Sequence, residues 1–169
     1  SEDQSLSAGQ RVRLISEIAN AAGTPQGMVA GQAQDLAAES REVESGDLEE
    51  IHRLKTGALI SAAACCGAII ADASESELSV VSNYAAQLGL LFQITDDLLD
   101  VTASAETLGK TPGKDMRAAK ATYPNLHGLE RARALAHEVH ARARATLDQL
   151  DHPSNRLHAI ADYILYRSA

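Results

Sequence analysis

The chain has 169 residues, with 15 Lys and Arg against 23 Asp and Glu, for a formal net charge of −8. Hydrophobic residues make up 45%, too many for a disordered chain, and aromatic residues only 3%. Alanine is abundant and β-branched residues are scattered, which excludes a β-sandwich or barrel and points to one all-α domain over 1–169. The acidic balance excludes a nucleic-acid binder of the ordinary basic kind, although local lysines and bound cations can still bring a polyanion to such a chain.

In chain order, residues 1–9 are small and polar and read as a loop. A helical pattern over about 10–22 is stopped by Gly23, with Pro25 just beyond. A second covers about 26–40 and carries Gly31-Gln32-Ala33-Gln34-Asp35. Asp47, with Glu50 three residues on, resembles a capping box and opens a long helix over about 47–71. Ser74 with Glu77 opens another over about 75–101. Gly109, Pro112 and Gly113 predict a long irregular stretch over about 102–124, and helices over about 126–150 and 154–167 complete a set of six.

The apolar run Gly57 to Ala71 is broken only by Ser61 and is shorter than the roughly 18 residues of a membrane span, so a buried core helix is expected, with no membrane span. Cys65 and Cys66 are adjacent and lie in that run, where they read as small hydrophobes. With no disulfide framework and no charged-then-apolar leader, a cytoplasmic location is expected.

Chemistry concentrates in Leu90-Leu91-Phe92-Gln93-Ile94-Thr95-Asp96-Asp97-Leu98-Leu99-Asp100. With Asp96 at zero, a helix places Asp100 at about 40°, Gln93 at about 60° and Asp97 at about 100°. The rest of the circumference is apolar apart from Thr95, so the helix is expected to be buried. Three buried carboxylates need compensation. Arginine is not near in sequence, which leaves water in a wet cleft or a hard cation such as Mg²⁺. A solvated polar helix end is the plain alternative.

On the helix 47–71, the same arithmetic puts Glu49, His52, Lys55 and Thr56 on one face. Lys55 and Thr56 stand where the polar half gives way to the apolar half, so the ammonium needs an anion, either a carboxylate or a phosphate. Lys110, Lys114 and Lys120 lie in the glycine-containing stretch after the carboxylates, as solvated loop lysines or as ligands of a metal-bound polyphosphate. His137 and His140 have a zinc-compatible spacing, but Arg131, Arg133, Arg142 and Arg144 around them read as a solvated face.

Five segments in this order, GQAQDL (31–36), HRLKTGALI (52–60), FQITDDLLD (92–100), LGKTPGKD (108–115) and KATYP (120–124), resemble the second half of the trans-prenyl diphosphate synthases. GLERARALA (128–136) and Ala161-Asp162-Tyr163-Ile164-Leu165 look most like the bacterial farnesyl diphosphate synthase branch. The resemblance implies the C-terminal portion of an all-α, terpenoid synthase-like bundle around a central cavity. The implied activity is Mg²⁺-dependent head-to-tail condensation of isopentenyl diphosphate with an allylic diphosphate, in a homodimer. By the same resemblance Asp96, Asp97 and Asp100 form the second aspartate-rich motif, with Asp96 on the metal and the others acting through its water shell. Lys55, Lys110 and Lys114 contact diphosphate, Thr56 and Gln93 lie near the allylic cation, Gln32 and Asp35 line the cavity wall, and Phe92 stands beside the substrates. The first aspartate-rich motif and the residues for isopentenyl diphosphate are absent, so the N-terminal half of the fold is expected to be missing and the chain alone to be inactive. The alternatives are a synthase of geranylgeranyl or longer products, a terpene cyclase, and a non-catalytic helical subunit that keeps the fold.

Overall fold

A computed structural model describes residues 5–38, 44–107 and 121–167, with the backbone alone over 102–107. The described residues are helices and their connections, with no strand, as the composition predicts. In chain order they are α1 (Ala8–Ala22), α2 (Met28–Ala38), α3 (Ser45–His52), a π-helical turn (Arg53–Gly57), α4 (Ala58–Ile70), α5 (Glu75–Thr107), α6 (Tyr123–His127), α7 (Leu129–Leu147) and α8 (Asn155–Tyr166).

Local signals set most of the ends. Ser7 caps α1, its hydroxyl accepting from the Gln10 N–H while the Gln10 side chain accepts from the Ser7 N–H, and Gly23 closes the helix. Ser74 and Glu77 form the predicted capping box, the Ser74 N–H donating to Glu77 Oε2 at 2.8 Å and the Glu77 N–H to Ser74 Oγ at 3.3 Å. The box predicted at Asp47 and Glu50 does not form. The helix starts at Ser45, with Glu44 at its N-cap making no side-chain bond, and both Glu50 carboxylate oxygens accept from the Arg53 guanidinium at 2.6 Å. Those bonds hold the Glu50 carboxyl below its ordinary range.

Three further expectations change. The helix placed over about 47–71 is interrupted by the π turn Arg53–Gly57, so angles counted at 100° per residue do not carry across it from Glu49 and His52, which precede the turn, to Lys55 and Thr56, which lie within it. α5 runs on to Thr107, six residues past its predicted end, and residues 108–120 lie outside the described set. The fifth predicted helix begins at Leu129, after the separate turn α6, because Gly128 takes φ +83° between them.

α5 is the central rod. Its 33 residues span roughly 50 Å, and it packs against α4 on one side and most extensively against α7 on the other. Tyr84, Leu88, Leu91 and Ile94 of α5 interlock with Ala132, Ala136, Val139, Ala143 and Leu147 of α7, small side chains on α7 admitting large ones from α5. α8 closes this side. The Tyr84 hydroxyl donates to the Leu157 carbonyl at 2.7 Å, and burial pushes that phenol up to about 12. Asp162 on α8 accepts from Arg144 at 2.7 Å and lies 2.7 Å from His140 Nε2, so His140 serves as a helix tie.

The opposite side depends on glycine. A Cβ on Gly31 would lie 2.2 Å from the Lys55 backbone nitrogen, and one on Gly89 would lie 2.9 Å from Gly57 Cα. α2 and α5 therefore meet the π turn backbone to backbone. The helix from Ser45 through Ile70 is long and apolar enough, by length and composition alone, to cross a membrane, a stretch longer than the run counted from Gly57. The expected burial holds only in part: the helix packs on α1, α2 and α5, and 28% of its apolar window is buried. Cys65 is buried and Cys66 half-buried, and burial pushes both thiols up. Val12, Ile15 and Ile18 of α1, with Leu59 and Ile70 of α4, remain exposed.

Asp97 docks the segment that follows the undescribed residues. It is 6% exposed, and its Oδ2 accepts the backbone N–H of Tyr123 at 2.9 Å. Asp97→Ala strands that buried donor and is expected to cost about 1–3 kcal/mol in urea unfolding, whereas Asp100→Ala, at an exposed position, is expected to stay within about 0.5 kcal/mol. Gly31→Ala forces α2 off the π turn, and a loss of about 1–3 kcal/mol or more in the same measurement is expected.

Candidate functional site

Gly89, Gln93, Asp96 and Asp100 recur at spacings of four, three and four, and so lie along one face of α5. Two contacts bracket the π turn against this face. Gly57 meets Gly89, and further along His52 Nε2 comes within 3.9 Å of Asp97 Oδ2. In sequence, Lys55 and Thr56 fall between those contacts, in the π turn that packs on α5.

The three carboxylates have different surroundings, and the expected burial of all three holds for one. Asp97 is buried under Tyr123. Asp96 is half exposed, and Asp100 is exposed. Compensation also differs from expectation. Asp96 Oδ1 pairs with Arg167 Nη2 at 3.0 Å, across 71 residues of sequence, and the guanidinium carbon sits 4.2 Å from the centre of the Phe92 ring. Among the described residues no three His, Cys, Asp or Glu side chains are grouped to hold a metal by themselves. Asp96 and Asp100 are hard oxygen donors one turn apart on an accessible side of α5, which suits an ion that keeps most of its waters.

Beside them, Lys55 Nζ pairs with Asp35 Oδ2 at 2.6 Å, both partners partly buried. The anion for this lysine is thus a carboxylate, the simpler of the two expected, and it joins two residues singled out from separate motifs. Gln93 is 9% exposed and Thr56 half-buried, while Gln32 stands exposed on α2. Phe92 is half-buried beneath Arg167. Lys110, Lys114 and Lys120 lie outside the described residues.

Sequence reasoning missed Arg167 and the work of Tyr123. The Tyr123 ring stacks on His52, with centroids 5.8 Å apart, and on His127 at 6.2 Å. Burial, with the charges of Glu49 and Asp97, pushes its phenol far above the ordinary range. KATYP marked the segment, but its bond to Asp97 uses a main-chain N–H, which no residue type announces. Arg167 follows the last helix with nothing local to set it apart from the other arginines. Together α5 presents an accessible carboxylate pair with a guanidinium on one of its members, and the π turn packed against α5 carries a lysine, chemistry suited to a divalent cation and a polyanion.

The family model for polyprenyl synthetases matches residues 4–156. Farnesyl diphosphate synthase from Escherichia coli K12 is 47% identical over 167 residues, covering 96% of this chain and 56% of that protein. Geranylgeranyl pyrophosphate synthase 4 from Arabidopsis thaliana is 42% identical, over 96% of this chain and 45% of its own length. Among solved structures, geranylgeranyl pyrophosphate synthetase from Pyrococcus horikoshii superposes with a TM-score of 0.83 at 25% identity, covering 96% of this chain and 61% of that one. A geranyltransferase from Helicobacter pylori, complexed with magnesium and isoprenyl diphosphate, superposes with a TM-score of 0.75 at 32% identity, covering 95% and 52%. The chain thus spans about half the length of the relatives it matches. On the strength of the family match across most of its length and of the all-helical fold it shares with these structures, this chain belongs to the polyprenyl synthetase family.

Proposed function

We propose that this chain is the C-terminal half of a trans-prenyl diphosphate synthase, joining isopentenyl diphosphate to an allylic diphosphate with farnesyl diphosphate as product. The observation that carries the reading is the packing of the π turn, which holds Lys55 and Thr56, against α5, which holds Gln93, Asp96 and Asp100, with Gly57 meeting Gly89 at the crossing. The likeness to the Escherichia coli farnesyl diphosphate synthase supports the product, and the geranylgeranyl synthases among the relatives keep a longer product as the second reading.

Asp96 and Asp100 would hold Mg²⁺, with Asp97 fixing the helix that presents them. The ion supplies Lewis-acid stabilisation of the charge that develops on diphosphate as the allylic carbon–oxygen bond ionises. Lys55 is already held by Asp35, so its ammonium is positioned before an anion arrives. Lys110 and Lys114 are proposed as further diphosphate ligands. The Thr56 hydroxyl and the Gln93 amide oxygen would face the allylic cation, and the apolar body of α5 and the half-buried Phe92 would keep water from it. Gln32 belongs to the same wall. The final deprotonation falls to the released diphosphate.

The exposed apolar side chains of α1 and α4 and the half-length coverage of the relatives support a missing N-terminal half of the same protein as the covering layer. We further propose that the whole protein works in the cytoplasm as a homodimer. In the full-length protein, with isopentenyl and geranyl diphosphates and Mg²⁺, Asp96→Ala is expected to lower turnover by about 100-fold or more. Near-normal turnover overturns the assignment, and chromatography of the dephosphorylated products separates C15 from C20 synthesis.

A further inference from the structure

The carboxylate best placed for a divalent cation already has a cationic partner. Arg167 Nη2 lies 3.0 Å from Asp96 Oδ1, and the arginine side chain is 17% exposed against 50% for the aspartate. One face of the guanidinium rests on Phe92 at 4.2 Å, and its Nε is buried with no acceptor among the described residues. The residue sits immediately after α8, its backbone N–H bonded to the Tyr163 carbonyl at 2.9 Å. The side chain is thus held by a ring face and one aspartate, without the full set of acceptors that five guanidinium donors could take up. A guanidinium and a metal ion compete for the same carboxylate oxygen.

We propose that Arg167 is the resident counter-cation of Asp96, neutralising it when no metal is bound and yielding it when a divalent ion loads. This rests on the assignment of Asp96 as a metal ligand, and it goes further by making metal entry an exchange of one cation for another. Phe92 gives the displaced guanidinium a surface to remain on, so the exchange asks for a rotation of the side chain and leaves α8 in place. The arrangement keeps a lone carboxylate from facing Phe92 and the apolar flank of α5, and it sets a threshold for metal binding before substrate arrives.

The test is Mn²⁺ binding to the full-length protein without substrate, read from the electron paramagnetic resonance of the free ion. Arg167→Gln is expected to bind Mn²⁺ about three to ten times more tightly than the parent, with Arg167→Lys close to the parent. Asp96→Asn is expected to lose that binding. Should Asp96→Asn bind Mn²⁺ as the parent does, the metal assignment falls and the exchange with it. Should Asp96→Asn lose binding while Arg167→Gln binds equally or less tightly, the metal assignment stands and the exchange alone is overturned. If Arg167→Gln does not fold, the parent decides by nuclear magnetic resonance. Saturating Mg²⁺ is expected to shift the Arg167 Nε–H signal and speed its exchange with solvent, and an unchanged signal overturns the exchange.

Discussion

The site depends on how closely main chains approach one another at the π turn. An ordinary helix crossing keeps its axes apart by the thickness of two side-chain layers. Here Gly31 from α2 and Gly89 from α5 remove that layer on two sides of Arg53–Gly57, and the backbone of Lys55–Gly57 is gripped directly. This close approach packs the turn that carries Lys55 and Thr56 against α5, and lets a carboxylate on α2 reach the Lys55 ammonium. The π turn contributes by re-phasing the helix, so that His52 turns inward to Tyr123 and Asp97 while Lys55 faces Asp35.

Charge is handled piecemeal along α5. Asp97 is satisfied inside by a main-chain donor, with the His52 imidazole 3.9 Å away, Asp96 at the boundary by a guanidinium, and Asp100 outside by solvent. Burial of three bare carboxylates would be prohibitive, and their differing exposure within about one turn avoids it. The same division separates their duties: the inner acid orders the chain after the undescribed residues, and the outer two remain accessible.

Much of this was legible in the sequence where the determinants are local. The all-α class, the stop at Gly23, the Ser74–Glu77 cap and the shared face of Gln93, Asp96 and Asp100 follow from spacing alone. The Asp47–Glu50 cap misled because Arg53, three residues on, offers Glu50 a bidentate charged partner that a helix N-terminus cannot match. The π turn was not legible, since angular counting presumes an unbroken 3.6-residue repeat. The partners of Asp96 and Asp97 were not legible either, because they lie 71 and 26 residues away and one of them is a backbone N–H.

The Gly57–Gly89 contact also acts as a mechanical stop. Two main chains already at van der Waals distance can part but cannot move closer, so motion between α5 and the π turn has only one direction open to it. Thermal breathing there opens the crossing and never tightens it. The resting separation of the two chains is thus the smallest the crossing can take.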